Sequence, residues 1–253
     1  MKHKTGKNPN ALYQYRPSSM WALDNLFCGV IYFRSPREFN DPYDCRTPPV
    51  LRDLTDKQLA FLRRTNPKIW GIPADNDFVP KGKFIAKVNK ELRRRHKRVT
   101  EKCGVACFSR RNDNLLMWSH YAGGGRGFCL EFYDGNPALN LGYDVKYRKQ
   151  FPVAYGYIKA LAEGRETSQY TELLLTHKYR EWEYEEEVRM FRGKSGKLAY
   201  PFESLKAVYL GTEATDCTKA LIRAIAGEKY PHVALKECRL SEDECRVEFD
   251  DMR

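Results

Sequence analysis

From residue 104 onward the chain is divided into short apolar runs separated by Gly, Asn, Asp and Pro. The runs are "GVACFS", "GFCLEFY", "YDVKYR", "LKAVYLG", "HVALKECRL" and "CRVEFD", and two similar ones, "ALYQYRP" and "VIYFRSP", lie near the N-terminus. Runs of this length are typical of β-strands, and helix-like segments lie between several of them. The pattern predicts one α+β domain over 1–253, with antiparallel or mixed sheets.

Residues 50–103 differ from this pattern, because they are polar, basic and largely helical in character, so we expect a helical insertion there. Within it, 81–102 carries Phe84, Val88, Leu92 and Val99 near helical spacing. Much of the formal net charge of +11 lies on this segment. Its basic face is either a solvated surface or a contact with the phosphates of a nucleic acid. The candidate nucleic-acid-binding residues are Arg93, Arg94, Arg95, Lys97 and Arg98.

The sequence carries no signal for export or membrane insertion. Its first residues, "MKHKTGKNPN", are polar and basic, and nowhere do about 18 apolar residues follow one another. The eight cysteines are scattered and none belongs to a CxxC pair. Their pattern favours reduced core thiols of a cytoplasmic protein over disulfides or metal ligands. We therefore expect no membrane partner and no metal.

The stretch "REWEYEEEVRMF", 180–191, places five glutamates among aromatic and aliphatic residues of a basic chain. A period of two predicts a half-buried strand with one apolar face and one acidic face. On the acidic face, Glu185 and Glu187 would lie about 7 Å apart along the backbone. Two such carboxylates can divide the work of stabilising a developing cation and orienting a nucleophile. The alternative is an exposed strand face with Arg189 as counter-ion.

Two segments near the N-terminus also present residues suited to ligand binding. On the first predicted strand, Arg16 can clamp a phosphate, with Tyr15 beside it, or form an ordinary salt bridge. In "FNDPYDC", Asn40 and Asp41 precede a proline and suit a tight turn, which can also present polar groups to a ligand.

The densest group of candidate residues lies in "CFSRRNDNLLMWSHYAGGGRG". Ser109 ends a predicted strand, where functional residues are common. Trp118, His120 and Tyr121 fall within one helical turn, where they either pack in the core or line a pocket for a planar ligand. Asn112 or Asp113 is the expected cap of this helix.

Taken together, these segments resemble the bacterial family known as domain of unknown function 2971. The pieces that carry the resemblance are "LYQYR", "FRSPREFNDPYDC", "GVACFSRRNDNLLMWSHYAGGGRGFCLEF", "VKY", "KYREWEYEEEVRMF" and "LKAVYLG". They occur in this order and cover most of the chain outside the insertion and the C-terminal tail. The resemblance by itself implies no activity.

A second resemblance is to toxin-like mono-ADP-ribosyltransferases, in which an Arg, a Ser and a Glu-x-Glu pair lie on successive strands. Here Arg16, Ser109 and Glu185-x-Glu187 follow in that order. The resemblance implies an ADP-ribosyltransferase-like fold and NAD as substrate. It implies that Arg16 binds NAD phosphate or ribose and that Ser109 supports the nicotinamide pocket, with Tyr121 or Trp118 stacking. Glu187 would then stabilise the oxocarbenium ion, and Glu185 would steer the acceptor.

Our first hypothesis is therefore an NAD-dependent mono-ADP-ribosyltransferase or NADase, a bacterial toxin or phage-defence effector acting on a nucleic acid or protein. A second is a metal-dependent nuclease, in which Glu185, Glu187, Asp41 and Asp44 gather Mg²⁺. A third is a nucleic-acid-binding module without catalysis, which depends on the basic insertion alone.

Overall fold

The structure is a computed structural model that describes residues 11–45, 50–52, 54–64, 79–133, 142–149, 158 and 168–252. Within these residues the α-helices are α1 (Met20–Phe27), α2 (Asp56–Arg64), α3 (Lys81–Lys102), α4 (Leu115–Tyr121), α5 (Ser168–Leu175) and α6 (Asp216–Lys229). The strands are β1 (Ala11–Arg16), β2 (Val30–Phe33), β3 (Gly104–Ser109), β4 (Phe128–Tyr133), β5 (Tyr143–Asp144), β6 (Lys146–Arg148), β7 (His177–Tyr179), β8 (Glu187–Arg192), β9 (Gly196–Ala199), β10 (Leu205–Leu210), β11 (Ala234–Leu240) and β12 (Val247–Asp251). Short 3₁₀-helices cover Pro36–Glu38, Arg180–Glu185 and Phe202–Ser204.

The chain forms two compact units that are interleaved along the sequence. The sheet unit comprises Met1–Arg34, Gly104–Val145 and Glu181–Arg253, and the basic unit comprises Ser35–Cys103 and Lys146–Arg180. The expected single domain with an insertion at about 50–103 stays a prediction. Part of that range, 65–78, lies outside the described residues, as does most of the helix predicted before β7.

The sheet unit is built on an eight-stranded sheet in the order β12-β11-β10-β4-β1-β3-β8-β5. Strands β10 and β11 pair in parallel, whereas the other neighbours in this sheet pair antiparallel. Strands β2 and β9 form a separate antiparallel pair. The chain is therefore an α+β protein with a mixed sheet, as the strand and helix pattern predicted.

The two faces of the large sheet differ in chemistry, and successive residues of β1 show this clearly. Leu12 belongs to an apolar core that includes Leu23 of α1 and Ile222 of α6. Tyr13 and Tyr15 belong to a second core together with Met117 and Trp118 of α4. Because successive side chains of a strand point to opposite faces, Gln14 and Arg16 lie on the α1/α6 face.

Local sequence signals account for where several elements begin and end. The side chain of Ser19 accepts a hydrogen bond from the Ala22 N–H, which caps α1 as predicted. The cap of α4 is Asn114, whose Oδ1 accepts from Leu116 and Met117 N–H, so the expected cap at Asn112 or Asp113 was wrong. Both of those residues are buried instead.

Two glycine-containing loops approach each other so closely that side chains are excluded. A Cβ added to Gly127 would lie 2.1 Å from the carbonyl oxygen of Arg16, and one added to Gly211 would lie 2.0 Å from that of Gly125. The Gly211 N–H donates to the Gly127 carbonyl at 2.9 Å. Close backbone packing therefore explains glycine at these two positions.

The basic unit contains α2, α3, α5 and the parallel pair β6–β7. In α3, Phe84, Val88 and Leu92 are fully buried, which confirms three of the four predicted core positions. The fourth, Val99, is half-buried, and Thr100 is buried beside it.

The stretch 180–191 is not the single strand that its period of two predicted. Residues Arg180–Glu185 form a 3₁₀-helix, and β8 begins only at Glu187. Between them, Glu186 has φ +41°, a left-handed conformation that ends the helix and starts the strand. Glu185 therefore does not lie on a strand with Glu187.

Candidate active site

Residues 184–187 form a turn between the 3₁₀-helix and β8, which we call the acidic turn. Glu185 and Glu187 are both buried, with 2% and 5% of their surface exposed. Glu181 and Glu183 are exposed, and Glu186 is half-buried. The predicted acidic surface thus divides into an exposed part and two buried carboxylates. Burial makes the second pair costly, so its partners decide what it can do.

Glu187 forms a bidentate ion pair with Arg189 on the same face of β8. Arg189 Nε and Nη2 donate to Glu187 Oε1 and Oε2, each at 2.8 Å. Arg189 is completely buried. A fork of this kind fixes the carboxylate plane as well as its position. The arginine that was expected as a surface counter-ion is therefore part of the buried site.

Ser109 and Glu187 are direct partners in the antiparallel pair β3–β8, and Tyr13 faces Ser109 from β1. The Ser109 hydroxyl donates to the Glu185 carbonyl at 2.6 Å and accepts from the Arg111 N–H at 3.0 Å. Because a serine has only one O–H donor, this bond uses it. Ser109, which is completely buried, therefore positions the acidic turn in this structure.

Two further bonds join the segment after β3 to the acidic turn. The Arg110 N–H donates to the Glu186 carbonyl at 3.0 Å, and Asn114 Nδ2 donates to the Tyr184 carbonyl at 2.8 Å. Arg111 also lies 3.8 Å from the carboxylate of Glu186. The left-handed residue is thus held on both its backbone and its side chain, which opposes the strain of its φ angle.

A cluster of rings lies beside the buried carboxylates. The Tyr121 hydroxyl donates to Glu185 Oε1 at 2.6 Å, and His120 Nδ1 shares a hydrogen bond with the Tyr184 hydroxyl at 2.9 Å. The His120 ring meets those of Tyr121, Trp182 and Tyr184 with centroids 6.0–6.4 Å apart. His120 is exposed and the other three are half-buried. A planar ligand can therefore contact these rings next to Glu185.

Tyr15 and Trp118, in contrast, are core residues on the same face. Their rings meet edge-on with centroids 5.2 Å apart, and both are buried. The Tyr15 hydroxyl donates to the Arg111 carbonyl at 2.9 Å, and Trp118 Nε1 donates to the Asn112 carbonyl at 2.6 Å. Burial raises the pKa of Tyr15 well above its usual range. These two rings hold the loop before α4, and of the predicted stacking residues only Tyr121 lies at the carboxylates.

Arg16 is not brought together with Glu187. It lies on the α1/α6 face, whereas Tyr13, Ser109 and Glu187 share the opposite face. Burial and the nearby Arg34 lower the pKa of its guanidinium to about 10. The sequence order Arg, Ser, Glu-x-Glu thus places Ser109 beside the carboxylates and leaves Arg16 elsewhere in the sheet unit.

Asn40 and Asp41 belong to the basic unit, as does Asp44. Asn40 is exposed, whereas Asp41 is buried and its Oδ1 accepts from the Tyr43 N–H at 2.8 Å, which is the turn that the sequence predicted. Asp44 lies 3.7 Å from the amino group of Lys178, and both are buried. The other carboxylate oxygen of Asp41, Oδ2, is buried without a hydrogen-bond partner.

The five basic candidates lie in α3 of the basic unit. Arg93, Arg94, Lys97 and Arg98 are exposed and Arg95 is half-buried. Glu91 binds Arg94 at 2.7 Å and Arg95 at 2.9 Å, and Lys97 lies 3.9 Å from Glu101. Over its length α3 carries ten Lys and Arg against two Glu. Its outer face therefore keeps a large positive charge after these pairs are counted.

Sequence reasoning missed Asn114 and underestimated Trp182 and Tyr184, which were interpreted as packing behind a strand. The signal for the two rings was present, because both lie in the same stretch as the glutamates. Nothing local indicates that Asn114 reaches the acidic turn, 70 residues further along the chain.

Comparisons with family models, with curated proteins and with solved structures find no match for this chain. Among the described residues, no group of three or more His, Cys, Asp or Glu is arranged to hold a metal ion. None of the eight cysteines forms a disulfide. Within the described part of the chain, no helix combines the length and the apolar character needed to cross a bilayer.

Proposed function

We propose that this chain is an NAD-consuming mono-ADP-ribosyltransferase or NADase with its active site at the acidic turn. The observation that carries the proposal is the pair Glu185 and Glu187, buried beside partly exposed rings and held by neighbouring side chains. The cyclic order of candidate residues along the sequence also supports an ADP-ribosyltransferase-like fold and membership of the domain of unknown function 2971 family.

The proposed chemistry is cleavage of the N-glycosidic bond between nicotinamide and ribose. Positive charge develops on the ribose as nicotinamide leaves, and the carboxylate of Glu187 stabilises it. A carboxylate already fixed by Arg189 needs little reorganisation when that charge appears, and its burial strengthens the interaction.

The other groups take roles that follow from their positions. The nicotinamide ring contacts His120, Trp182 and Tyr184, whose rings lie together beside Tyr121. Glu185 orients the acceptor, with its carboxylate held by the Tyr121 hydroxyl. Ser109 acts on the backbone of the acidic turn and not on the ribose.

The acceptor in this proposal is a nucleic acid, recruited through the exposed cationic face of α3. Its Arg93 and Arg98 are exposed and have no ion-pair partner among the described residues. A cytoplasmic toxin or phage-defence effector would meet such an acceptor in RNA or DNA, and neutralisation of its phosphates would supply the affinity.

The test is release of nicotinamide from NAD by purified protein, with and without RNA, DNA and cell lysate. We expect wild type to release nicotinamide and Glu187→Gln to lower the rate by about a hundredfold or more, as is typical for loss of one transition-state contact. Glu181→Gln, an exposed glutamate of the same stretch, is the matched control and should retain activity.

The outcome that contradicts the proposal is absence of NAD turnover by wild type under every condition, together with no rise in melting temperature on addition of NAD. Activity against nucleic acid that requires a divalent ion and disappears with a chelator would favour the nuclease hypothesis instead.

A further inference from the structure

A second group of polar residues lies where β1 leaves the large sheet, on the α1/α6 face. Strand β1 pairs with β3 at Tyr13 and Ser109. Further along β3 its partner is Arg34, which forms a bridge with Val105 after β2 ends. In antiparallel register, Arg16 is level with Ala106, next to that bridge. The two arginines therefore converge on the same edge of β3.

Gln14 fixes the arginine of β1 in this gap. Its Nε2 donates to the Cys107 carbonyl at 3.4 Å, and its Oε1 accepts from Arg16 Nη2 at 2.7 Å. Gln14 is itself buried, with 5% of its surface exposed. One amide thus replaces a lost strand contact and orients the guanidinium, which is the kind of support that a binding residue needs.

The other side of the guanidinium meets an exposed tryptophan. Arg16 Cζ lies 5.7 Å from the ring centroid of Trp21, which packs edge-on against Tyr32 at 5.3 Å. Trp21 is 41% exposed although it is large and apolar. Arg16 is therefore held between a buried amide and an exposed ring, with part of its own surface open to solvent.

Among the described residues, no carboxylate forms a hydrogen bond or ion pair with Arg16, and the first turn of α1 contains no acidic residue. The charged group that acts on Arg16 is Arg34, which has the same sign. A half-buried guanidinium beside another cation is unfavourable unless an anion is bound, since like charges repel most where water is partly excluded.

We infer that Arg16, Arg34 and Trp21 form a binding site for the phosphate group of a small phosphorylated ligand. The guanidinium of Arg16 presents planar N–H donors suited to phosphate oxygens, and Arg34 adds the second positive charge. This site is on the opposite face of the sheet from Glu187 and does not depend on the NAD proposal.

The experiment is calorimetric titration of the full chain with inorganic pyrophosphate, at ionic strength matched with chloride. We expect saturable binding that Arg16→Gln weakens by about tenfold or more, because charge-assisted hydrogen bonds are lost. The matched control is Arg239→Gln, which removes one charge from an arginine of the same unit that lies 3.1 Å from Asp250. Its affinity should remain close to that of wild type.

Two further variants locate the site and guard against misfolding. Arg34→Gln changes an exposed residue and should also weaken binding, with an unchanged melting temperature. Trp21→Phe should remove a pyrophosphate-dependent change in tryptophan emission while calorimetric binding persists. Glu187→Gln should bind pyrophosphate as wild type does, whatever the nicotinamide assay shows. The inference is overturned if wild type shows no saturable binding, or if Arg239→Gln weakens it as much as Arg16→Gln and Arg34→Gln do.

Discussion

At the scale of single residues, the pair Glu187–Arg189 has the largest energetic consequence in the sheet unit. Both groups are buried, so loss of one leaves the other as a buried charge with its best partner removed. We predict that Arg189→Met lowers the free energy of unfolding by about 3–5 kcal/mol. Urea denaturation would measure it.

The control for this prediction is Arg239→Met, which affects an ion-paired but exposed arginine and should cost about 0–1 kcal/mol. A double variant, Glu187→Gln with Arg189→Met, removes both charges and should be less destabilised than Arg189→Met alone. Equal stabilities of the single and double variants would mean that packing, and not an unpaired carboxylate, causes the loss.

A second residue-scale prediction concerns His96 in the basic unit. Burial, and next to it Arg37, lower the pKa of His96, although its hydrogen bond to the Cys45 carbonyl at 2.8 Å acts in the opposite sense. A lowered pKa means that the unfolded chain binds the proton more readily, so stability is complete above about pH 6.5 and decreases as the pH falls below that value.

We therefore expect the melting temperature to decrease between about pH 6.5 and pH 5 in wild type, and less so in His96→Gln. Glutamine retains an N–H donor for the Cys45 carbonyl but does not titrate in this range. His177 has a pKa lowered by burial as well and should account for part of the remaining dependence. An identical pH profile for wild type and His96→Gln would contradict the assignment.

At the scale of elements, the cap of α4 also holds the acidic turn. Asn114 accepts the helix N–H groups through Oδ1 and donates to the Tyr184 carbonyl through Nδ2. We predict that Asn114→Ala costs about 1 kcal/mol of stability and also lowers nicotinamide release. Ser19→Ala removes the cap of α1 at a similar cost without touching the turn, so its activity should be retained. Equal activities in the two variants would separate α4 from the catalytic proposal.

The elements also show how far a sequence pattern reaches. Strands β1, β3, β4 and β10 lie where their apolar runs predicted, because alternation and burial agree along each of them. The pattern failed at Arg180–Glu185, where the same alternation exists but the backbone is helical. What decides the outcome there is a set of distant contacts: Ser109 and Asn114 bind the turn, and no propensity of the stretch itself encodes those bonds.

At the scale of the whole molecule, pairing between distant segments is what the sequence left open. Ser109 and Glu187 were both selected as site residues, and strand pairing places them opposite each other. Arg16 was selected for the same site, yet its side chain lies on the other face, because a shift of one residue along a strand reverses the face. Likewise, the basic segment was predicted to 103, whereas its unit also includes Lys146–Arg180. Such grouping depends on long-range contacts that local patterns do not contain.

The charge of the molecule is unevenly distributed, and this gives the last prediction. We expect wild type to bind single-stranded RNA with an affinity that falls steeply with salt, since each neutralised phosphate contributes about 0.7 to the log–log slope. Changing Arg93, Lys97 and Arg98 of α3 to Gln should reduce that slope by about 2. The matched control changes Lys219, Lys236 and Arg239, which lie near Glu237, Asp251 and Asp250, and removes the same net charge. If both triple variants lower the slope equally, overall charge and not α3 attracts the nucleic acid, and the proposed recruitment of the acceptor by this helix is wrong.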